Sequence, residues 1–286
     1  MRNDRCKTFP DTFANNLYKG GGMKTAVIKF SGKALDDFFT NRKWIDLISS
    51  LKNNYEGIVL VHGAGNKISE WSYALGLEPR FIEGQRVTDE YTMEVVAAVQ
   101  SGLLNAKIVS HLQINNFDAV GLSGIDRGLF TAEYINEKLG YVGSPIISGS
   151  SDWIFSLLQE GVIPVFSSLC RDQNGNLMNV NADVFTHALA KAISADTVFF
   201  LSDVNGVKLN GVTQSYILDS EIYDGIQNGH ITGGMIPKLK SCKKLLEDGI
   251  SRVWIGSELF DINFNDYHNS INLKGTWIVE SKAIAV

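Results

Sequence analysis

Two lysine-bearing stretches far apart in the chain carry the residue types that a travelling phosphoryl group needs. One is Ala26-Val27-Ile28-Lys29-Phe30-Ser31-Gly32-Lys33 and the other is Gly233-Gly234-Met235-Ile236-Pro237-Lys238. Between them, Met178-Asn179-Val180-Asn181-Ala182-Asp183 sets one acid beside two amide side chains. A phosphoryl group in transit spreads negative charge over its oxygens, so its transfer is eased mainly by positioning and by positive charge. In this pattern Lys29 and Lys238 supply the charge and Asp183 holds the two ammonium groups. The glycine turns bare backbone N–H groups. Val61-His62-Gly63-Ala64-Gly65, after an apolar run, is a second cradle.

Each of these residues also has a plainer reading. Lys29 closes a strand of buried character, where a lysine rarely stands without a partner; the plain alternative is a lysine snorkelling at the sheet edge. The turn at Gly63 has no third glycine and no following Gly-Lys-Ser/Thr, so it is neither a dinucleotide fingerprint nor a Walker loop. His62 reads first as a hydrogen-bonding partner of its own turn. Arg86 stands in Glu83-Gly84-Gln85-Arg86-Val87-Thr88-Asp89, just before the longest helical pattern, with Thr88 as the N-cap. It is either a two-pronged carboxylate clamp or a surface ion pair. Asn179, Asn181 and Asp183 alternate, so an extended segment projects them to one side, while Asp183 alone also reads as a helix start. Asp203, in Ser202-Asp203-Val204-Asn205-Gly206-Val207, follows the most apolar strand. It is either a ribose or adenine contact or an Asx turn before Gly206. Lys238, Lys240, Lys243 and Lys244 form the densest basic cluster, which by itself reads as a solvated helix face.

The elements that must position these residues alternate in type. Strands are expected at 25–30, 57–61, 118–122, 162–167, 197–201 and 251–255, and helices at 41–54, 66–76, 89–115, 151–160, 183–194, 219–228 and 235–248. Runs such as Ile58-Val59-Leu60-Val61 and Val198-Phe199-Phe200-Leu201 are continuously apolar, the pattern of strands covered on both faces. Alternating strands and helices then give an α/β fold with a parallel sheet, whose C-terminal strand ends carry the ligand. The pattern loosens at 125–143 and 170–178, although Gln173-Asn174-Gly175-Asn176 signals a hairpin. Residues 1–23 are polar and end in a glycine run, so they read as a flexible leader, or as a short docking arm built on Phe9, Phe13, Leu17 and Tyr18.

The bulk numbers exclude other classes. The chain has 286 residues, 44% of them apolar and 20% charged, enough for one large domain or two coupled lobes. A net charge of −5 argues against nucleic-acid binding. Cys6, Cys170 and Cys242 are too widely spaced for a disulfide framework or a metal motif, and they suit a reducing compartment. Cys170 reads as a small core residue. No apolar stretch approaches the roughly 20 residues of a membrane span, and no secretory signal is present; a cytoplasmic protein is the expectation.

Taken in order, these stretches resemble the amino acid kinase family and, within it, the N-acetylglutamate kinases. The likeness covers about residues 24–280, and also takes in Ala119-Val120-Gly121-Leu122-Ser123-Gly124. It implies a three-layer αβα sandwich around an open, mainly parallel sheet of about eight strands. One amino acid kinase-like domain would span 24–286, with an acyl amino acid lobe at about 24–178 and a nucleotide lobe at about 179–286. The implied reaction passes the γ-phosphoryl of ATP, with Mg2+ held mainly through the phosphates, to the γ-carboxylate of N-acetyl-L-glutamate. By position, the resemblance makes Lys29, Lys238 and Asp183 catalytic. Gly32, Ala64 and Gly65 would hold oxygens through their amides, and Arg86, Asn179 and Asn181 would line the acyl amino acid site. Asp203, Val204, Gly206 and Met235 would fall near the nucleotide. No residues are implied as ligands of a resident metal. A homodimer without arginine feedback is implied too, because the leader is unlike the extra helix that links dimers into rings.

The chain departs from that pattern at three places. Ser31 and Ala64 stand where glycines are usual, and Trp277 stands where a basic residue or methionine is common; 256–272 also matches poorly. If the methyl of Ala64 crowds the substrate, glycine there would raise turnover; a loop already shaped around Ala64 would lose activity on that change instead. Two other readings stay beside the first: a kinase of another acylated or carrier-bound amino acid such as 2-aminoadipate, and a catalytically weak regulatory homologue.

Overall fold

The computed structural model describes residues 23–259 and 274–281. The leader up to residue 22, its Cys6, and most of the poorly matching segment therefore lie outside the described residues. An eight-stranded sheet organises the rest: β1 (Thr25–Phe30), β2 (Gly57–His62), β3 (Ala119–Ser123), β4 (Ile163–Ser167), β5 (Thr197–Leu201), β6 (Tyr216–Leu218), β7 (Arg252–Gly256) and β8 (Gly275–Val279). Their order across the sheet is β6-β8-β7-β5-β1-β2-β4-β3. Every neighbouring pair is parallel except β7 with β8. The apolar runs are buried along their whole length in β2, β4, β5 and β7, which is why they lack alternation. The expected α/β class and parallel sheet are thus what the chain forms.

Helices cover both faces: α1 (Gly32–Phe38), α2 (Lys43–Asn54), α3 (Gly65–Ala74), α4 (Glu90–Val96), α5 (Asn105–Ile114), α6 (Asp152–Gln159), α7 (Ala182–Ala192), α8 (Asp219–Gln227) and α9 (Met235–Glu247). One core gathers Val27, Val59 and Val61 with Phe185 and Leu189 of α7 and Leu239 and Leu245 of α9. The other gathers Ala26, Ile28 and Phe30 with Phe38, Trp44, Ile48 and Leu112. Trp277 lies in this second core, edge-on to Phe199 at 5.6 Å and under the Arg252 guanidinium at 5.1 Å. Its departure from the family pattern is therefore a packing choice. Cys170 and Cys242 are buried, and burial pushes the Cys170 thiol up to about 12, as befits a small core residue.

The loosened regions form a second sheet of four short strands, Phe130–Tyr134, Val142–Ile147, Leu177–Val180 and Leu169–Arg171, in that order. The last two are antiparallel and joined by the expected hairpin, where Gly175 takes φ +92° and Asp172 Oδ1 accepts from Asn174 N and Asn176 N. Strands of three to six residues with mixed polarity leave too little period to read. α4 and α5 are continuous through π-helical turns over Ala97–Leu104. The resulting helix, Glu90–Ile114, is 25 residues long and, by length and composition alone, apolar enough to cross a membrane. Gln100 and Asn105 interrupt the apolar run by eye, but hydropathy averages over them. Within the fold, Ile108 and Leu112 of this helix pack into the second core.

Candidate active site

The register of the sheet lines up the candidate residues. Lys29 in β1 stands opposite Val61 of β2 and Phe200 of β5, and His62 stands opposite Ser167 of β4. The C-terminal strand ends thus present Lys29, the Gly63–Gly65 turn, Ser167-Ser168 and Ser202-Asp203 along one edge. Lys29 Nζ pairs with Asp183 Oδ1 at 2.7 Å. This is an ion pair rather than a directed hydrogen bond. Lys238 Nζ donates instead to Ser202 Oγ at 2.5 Å. All four residues border one small void of 20 Å³. Asp183 was expected to hold both lysines; in the structure it pairs with one, and Ser202 takes the other. The cluster reading of Lys238 as a solvated lysine is corrected by the same contact, since its head turns back to the strand end.

The helix that carries Asp183 starts where that residue reads as a helix start, and the residue before it in the alternation supplies the cap. Asn181 Oδ1 accepts from Asp183 N at 2.8 Å and Val184 N at 3.3 Å, so Asn181 is the N-cap of α7. Asp183 sits in the first turn with its carboxylate free for Lys29. The alternation therefore ends at Asn181, where strand geometry gives way to helix. Thr88 is not a cap: Asp89 caps α4 through Thr92 N at 2.9 Å. Thr88 is buried and receives Asn179 Nδ2 at 3.1 Å.

Arg86 is not free at the surface. It is 7% exposed, its Nη2 donates to Gly65 O at 2.8 Å and Ser69 Oγ at 2.7 Å, and its guanidinium lies over Phe81 at 4.8 Å. Its buried Nη1 has no protein partner. A cavity of 210 Å³ brings Arg86 together with Gly65, Asn179, Asn181, Gln100 and Ser168. A larger cavity of 520 Å³ opens on the other side of the same turn, between α1 and α5. Of the two, only the smaller one is lined by Arg86, Asn179 and Asn181. Gly32 opens α1 beside Asn66, on the side of the larger cavity.

Ala64 has φ −147°, a negative value outside the left-handed region that favours glycine. Its methyl packs with Ile68, Met93 and Val99. The side chain belongs to an apolar cluster, the geometry of a turn already shaped around Ala64. Ser31 is the N-cap of α1, accepting from Ala34 N at 3.2 Å, and its hydroxyl reaches Asp203 Oδ1 at 3.2 Å. His62 is fully buried, with Nε2 3.0 Å from Asn105 Nδ2 and Nδ1 3.2 Å from Gly63 O. Because the Asn105 amide donates, Nδ1 carries the ring proton, and burial holds the pKa at about 4. Val204 is exposed, Gly206 takes φ +101° against Gly275 and Thr276, and Met235 opens α9. Ser202, Ser69, Gln100 and Ser168 were given no role from sequence, and Thr88 only that of a helix cap. Only Ser202 had a signal, as the first residue past the most apolar strand.

A lysine pair at the C-terminal edge of a parallel sheet, beside glycine turns, is a phosphoryl-binding arrangement. Residues 24–257 match the model of the amino acid kinase family, and the chain belongs to that family. It is similar to the acetylglutamate kinase of Clostridium acetobutylicum, 36% identical over 89% of each chain. It is also similar to that of Leptospira biflexa, 38% identical over 81% of this chain and 83% of the relative. Among solved structures, a Streptococcus mutans protein superposes with a TM-score of 0.68 at 27% identity, over 89% of this chain and 98% of that one. Carbamate kinase from Giardia lamblia shares the fold at a TM-score of 0.60 and 17% identity, over 90% of this chain and 99% of that one.

Proposed function

We propose that the chain is an ATP-dependent kinase that phosphorylates the γ-carboxylate of N-acetyl-L-glutamate, giving an acyl phosphate for arginine biosynthesis. The observation that carries this reading is the convergence of Lys29, Asp183 and Lys238 from three distant segments onto one void at the sheet edge. The acyl amino acid occupies the 210 Å³ cavity, with its α-carboxylate at the Arg86 guanidinium and beside Asn179. Its γ-carboxylate lies at the Gly63–Gly65 turn. One carboxylate oxygen attacks the γ-phosphorus of ATP, the bond to the β–γ bridging oxygen breaks, and ADP leaves. No general base is required, because a glutamate carboxyl with pKa about 4.3 is already ionised at neutral pH. Lys29 and Lys238 stabilise the charge that builds on the phosphoryl oxygens. Asp183 orients Lys29, and Ser202 orients Lys238.

The nucleotide lies on the far side of the lysines, near Asp203, Val204, Gly206 and Met235. Mg2+ enters on its phosphates, a mode suited to an ion that keeps several waters. Bound there, it adds positive charge to the phosphate oxygens. ATP as substrate places the reaction in the cytoplasm. We assign a homodimer, with the exposed side chains of Tyr73, Leu75 and Tyr91 as candidates for its contact. ATP-dependent trapping of the acyl phosphate as its hydroxamate, with N-acetylglutamate beside a panel of other acyl amino acids, tests the reading. Turnover only with a different acceptor would reassign the substrate, and no turnover with any would sink it.

A further inference from the structure

On the acetylglutamate reading, the substrate has more polar functions than the residues named so far can meet. The α-carboxylate takes Arg86 and Asn179, and the γ-carboxylate takes the glycine turn and the lysines. The acyl amide is left. Of the polar side chains on the wall of the same cavity that are also left, two are buried: Gln100, 2% exposed, and Ser168, 1% exposed. Gln100 Nε2 donates to Ser168 Oγ at 2.6 Å. A hydroxyl that has accepted a hydrogen bond keeps its own hydrogen to give.

The π-helical turns explain how Gln100 comes to be there. In an α-helix, residues five apart point about 140° away from each other. In a π-helix, with its i→i+5 bonds, they share a face. Gln100 and Asn105 are five apart, and both turn to the sheet: Gln100 to Ser168, Asn105 to His62 Nε2 at 3.0 Å and Val165 O at 2.8 Å. Ser101 joins them, 2.6 Å from Ser167 Oγ. Asn105 anchors the register, because its Oδ1 occupies the place a side chain at Gly121 would need. The helix thus abandons regular geometry for eight residues and brings a row of polar groups onto the strand ends behind the cavity. Burying polar groups is unfavourable unless they are bonded, and these are bonded in a way that fixes the direction of one hydroxyl at the cavity wall.

We infer that Ser168 donates its hydroxyl hydrogen to the acyl carbonyl of the substrate, with Gln100 as the residue that positions it. The inference rests on the proposed function above. It makes the pair a determinant of specificity: a substrate with a free amine has no carbonyl to accept the bond, and a site built around a hydrogen bond discriminates against the analogue that lacks it.

The test compares kcat/KM for N-acetylglutamate and for glutamate in the full chain and its variants. Ser168→Ala is expected to raise KM for N-acetylglutamate about tenfold while KM for ATP stays within about twofold. The preference for the acylated over the free amino acid falls by the same factor. Gln100→Leu moves the preference in the same direction by a smaller factor, and the double variant matches Ser168→Ala, because Gln100 acts only through Ser168. Ser168→Thr keeps the hydroxyl and keeps the preference. A Ser168→Ala protein that melts like the parent and retains its preference would overturn the inference and leave the proposed function standing. Equal loss in Ser168→Thr and Ser168→Ala would overturn it too. A parent inactive on every acyl amino acid would overturn the proposed function, and this inference with it.

Discussion

Replacing Ala64 by glycine separates two views of the turn that meets the substrate. On one view the methyl obstructs, and glycine frees the site. The structure predicts the opposite. Ala64 is 8% exposed, its methyl touches an apolar cluster, and its φ of −147° places no strain on it. Removing one buried methyl forfeits about 0.8 kcal/mol. Glycine adds about 0.5–1 kcal/mol of backbone entropy to be lost on folding. The sum is about 1.5 kcal/mol of lost stability, which for a chain of this size lowers Tm by roughly 3–6 °C. The turn also becomes looser, so kcat on N-acetylglutamate stays level or falls. Thermal melts and hydroxamate kinetics on parent and variant decide the matter. A threefold or greater rise in kcat with an unchanged Tm would refute the reasoning.

The other expected outcomes concern charge. Lys29→Ala and Lys238→Ala should each lower kcat at least about 10²-fold with the fold kept by circular dichroism, the scale of one lost contact to a charged transition state; near-normal kcat in both would reject the assignment. Arg86→Lys should raise KM for the acyl amino acid about tenfold or more and spare KM for ATP, since a lysine cannot serve Gly65 O and Ser69 Oγ while offering a further donor to the substrate; matched effects on both substrates would point to a purely structural arginine. Burial holds His62 at about 4 against an ordinary 6.5, so the unfolded chain takes up the proton first as pH falls. Stability is therefore full above pH 6.5, rises with pH between 4 and 6.5, and drops by about 2 kcal/mol from pH 6.5 to 5 through this group. Urea midpoints at pH 7 and 5 should fall less in His62→Gln than in the parent, and equal falls would show that the group carries no such linkage.

The central sheet was legible because burial on both faces writes itself into a strand as an unbroken apolar run. All six strands expected from Thr25 onward are present, and the helices between them begin and end within about two residues of their expected limits. The second sheet was not legible. Its strands are short and partly exposed, and their partners lie up to 40 residues away, as with Tyr134 paired to Gly143 and Asn179 to Val142. The missed strands β6 and β8 are three and five residues long and pair with each other across more than 50 residues of chain. Pairing over such distances is settled by the sheet, and no local pattern records it.

Residue types at the candidate site were legible, but their partners were not. A sequence can offer Lys238 and Asp183 as candidates; it cannot say that Lys238 turns to Ser202. Nor can it say what holds the helices that carry them. α7 presents Asp183 at its start and His187 one turn on, while α9 presents Lys238 near its start and ends at Asp248. Asp248 receives His187 Nε2 at 2.8 Å and Lys191 Nζ at 2.8 Å. The two helices are tied at the end away from the chemistry, and their apolar faces meet through Phe185, Leu189, Leu239 and Leu245. Lys238 and Asp183 are thus set by one rigid pair of helices, while Lys29 comes from the middle of the sheet. A helix pair and a central strand are among the least deformable parts of a small α/β domain, since both are packed to interior density. Charges that must meet a transition state to within a fraction of an ångström are best placed on such elements, and the loops around them are left to tune what is bound.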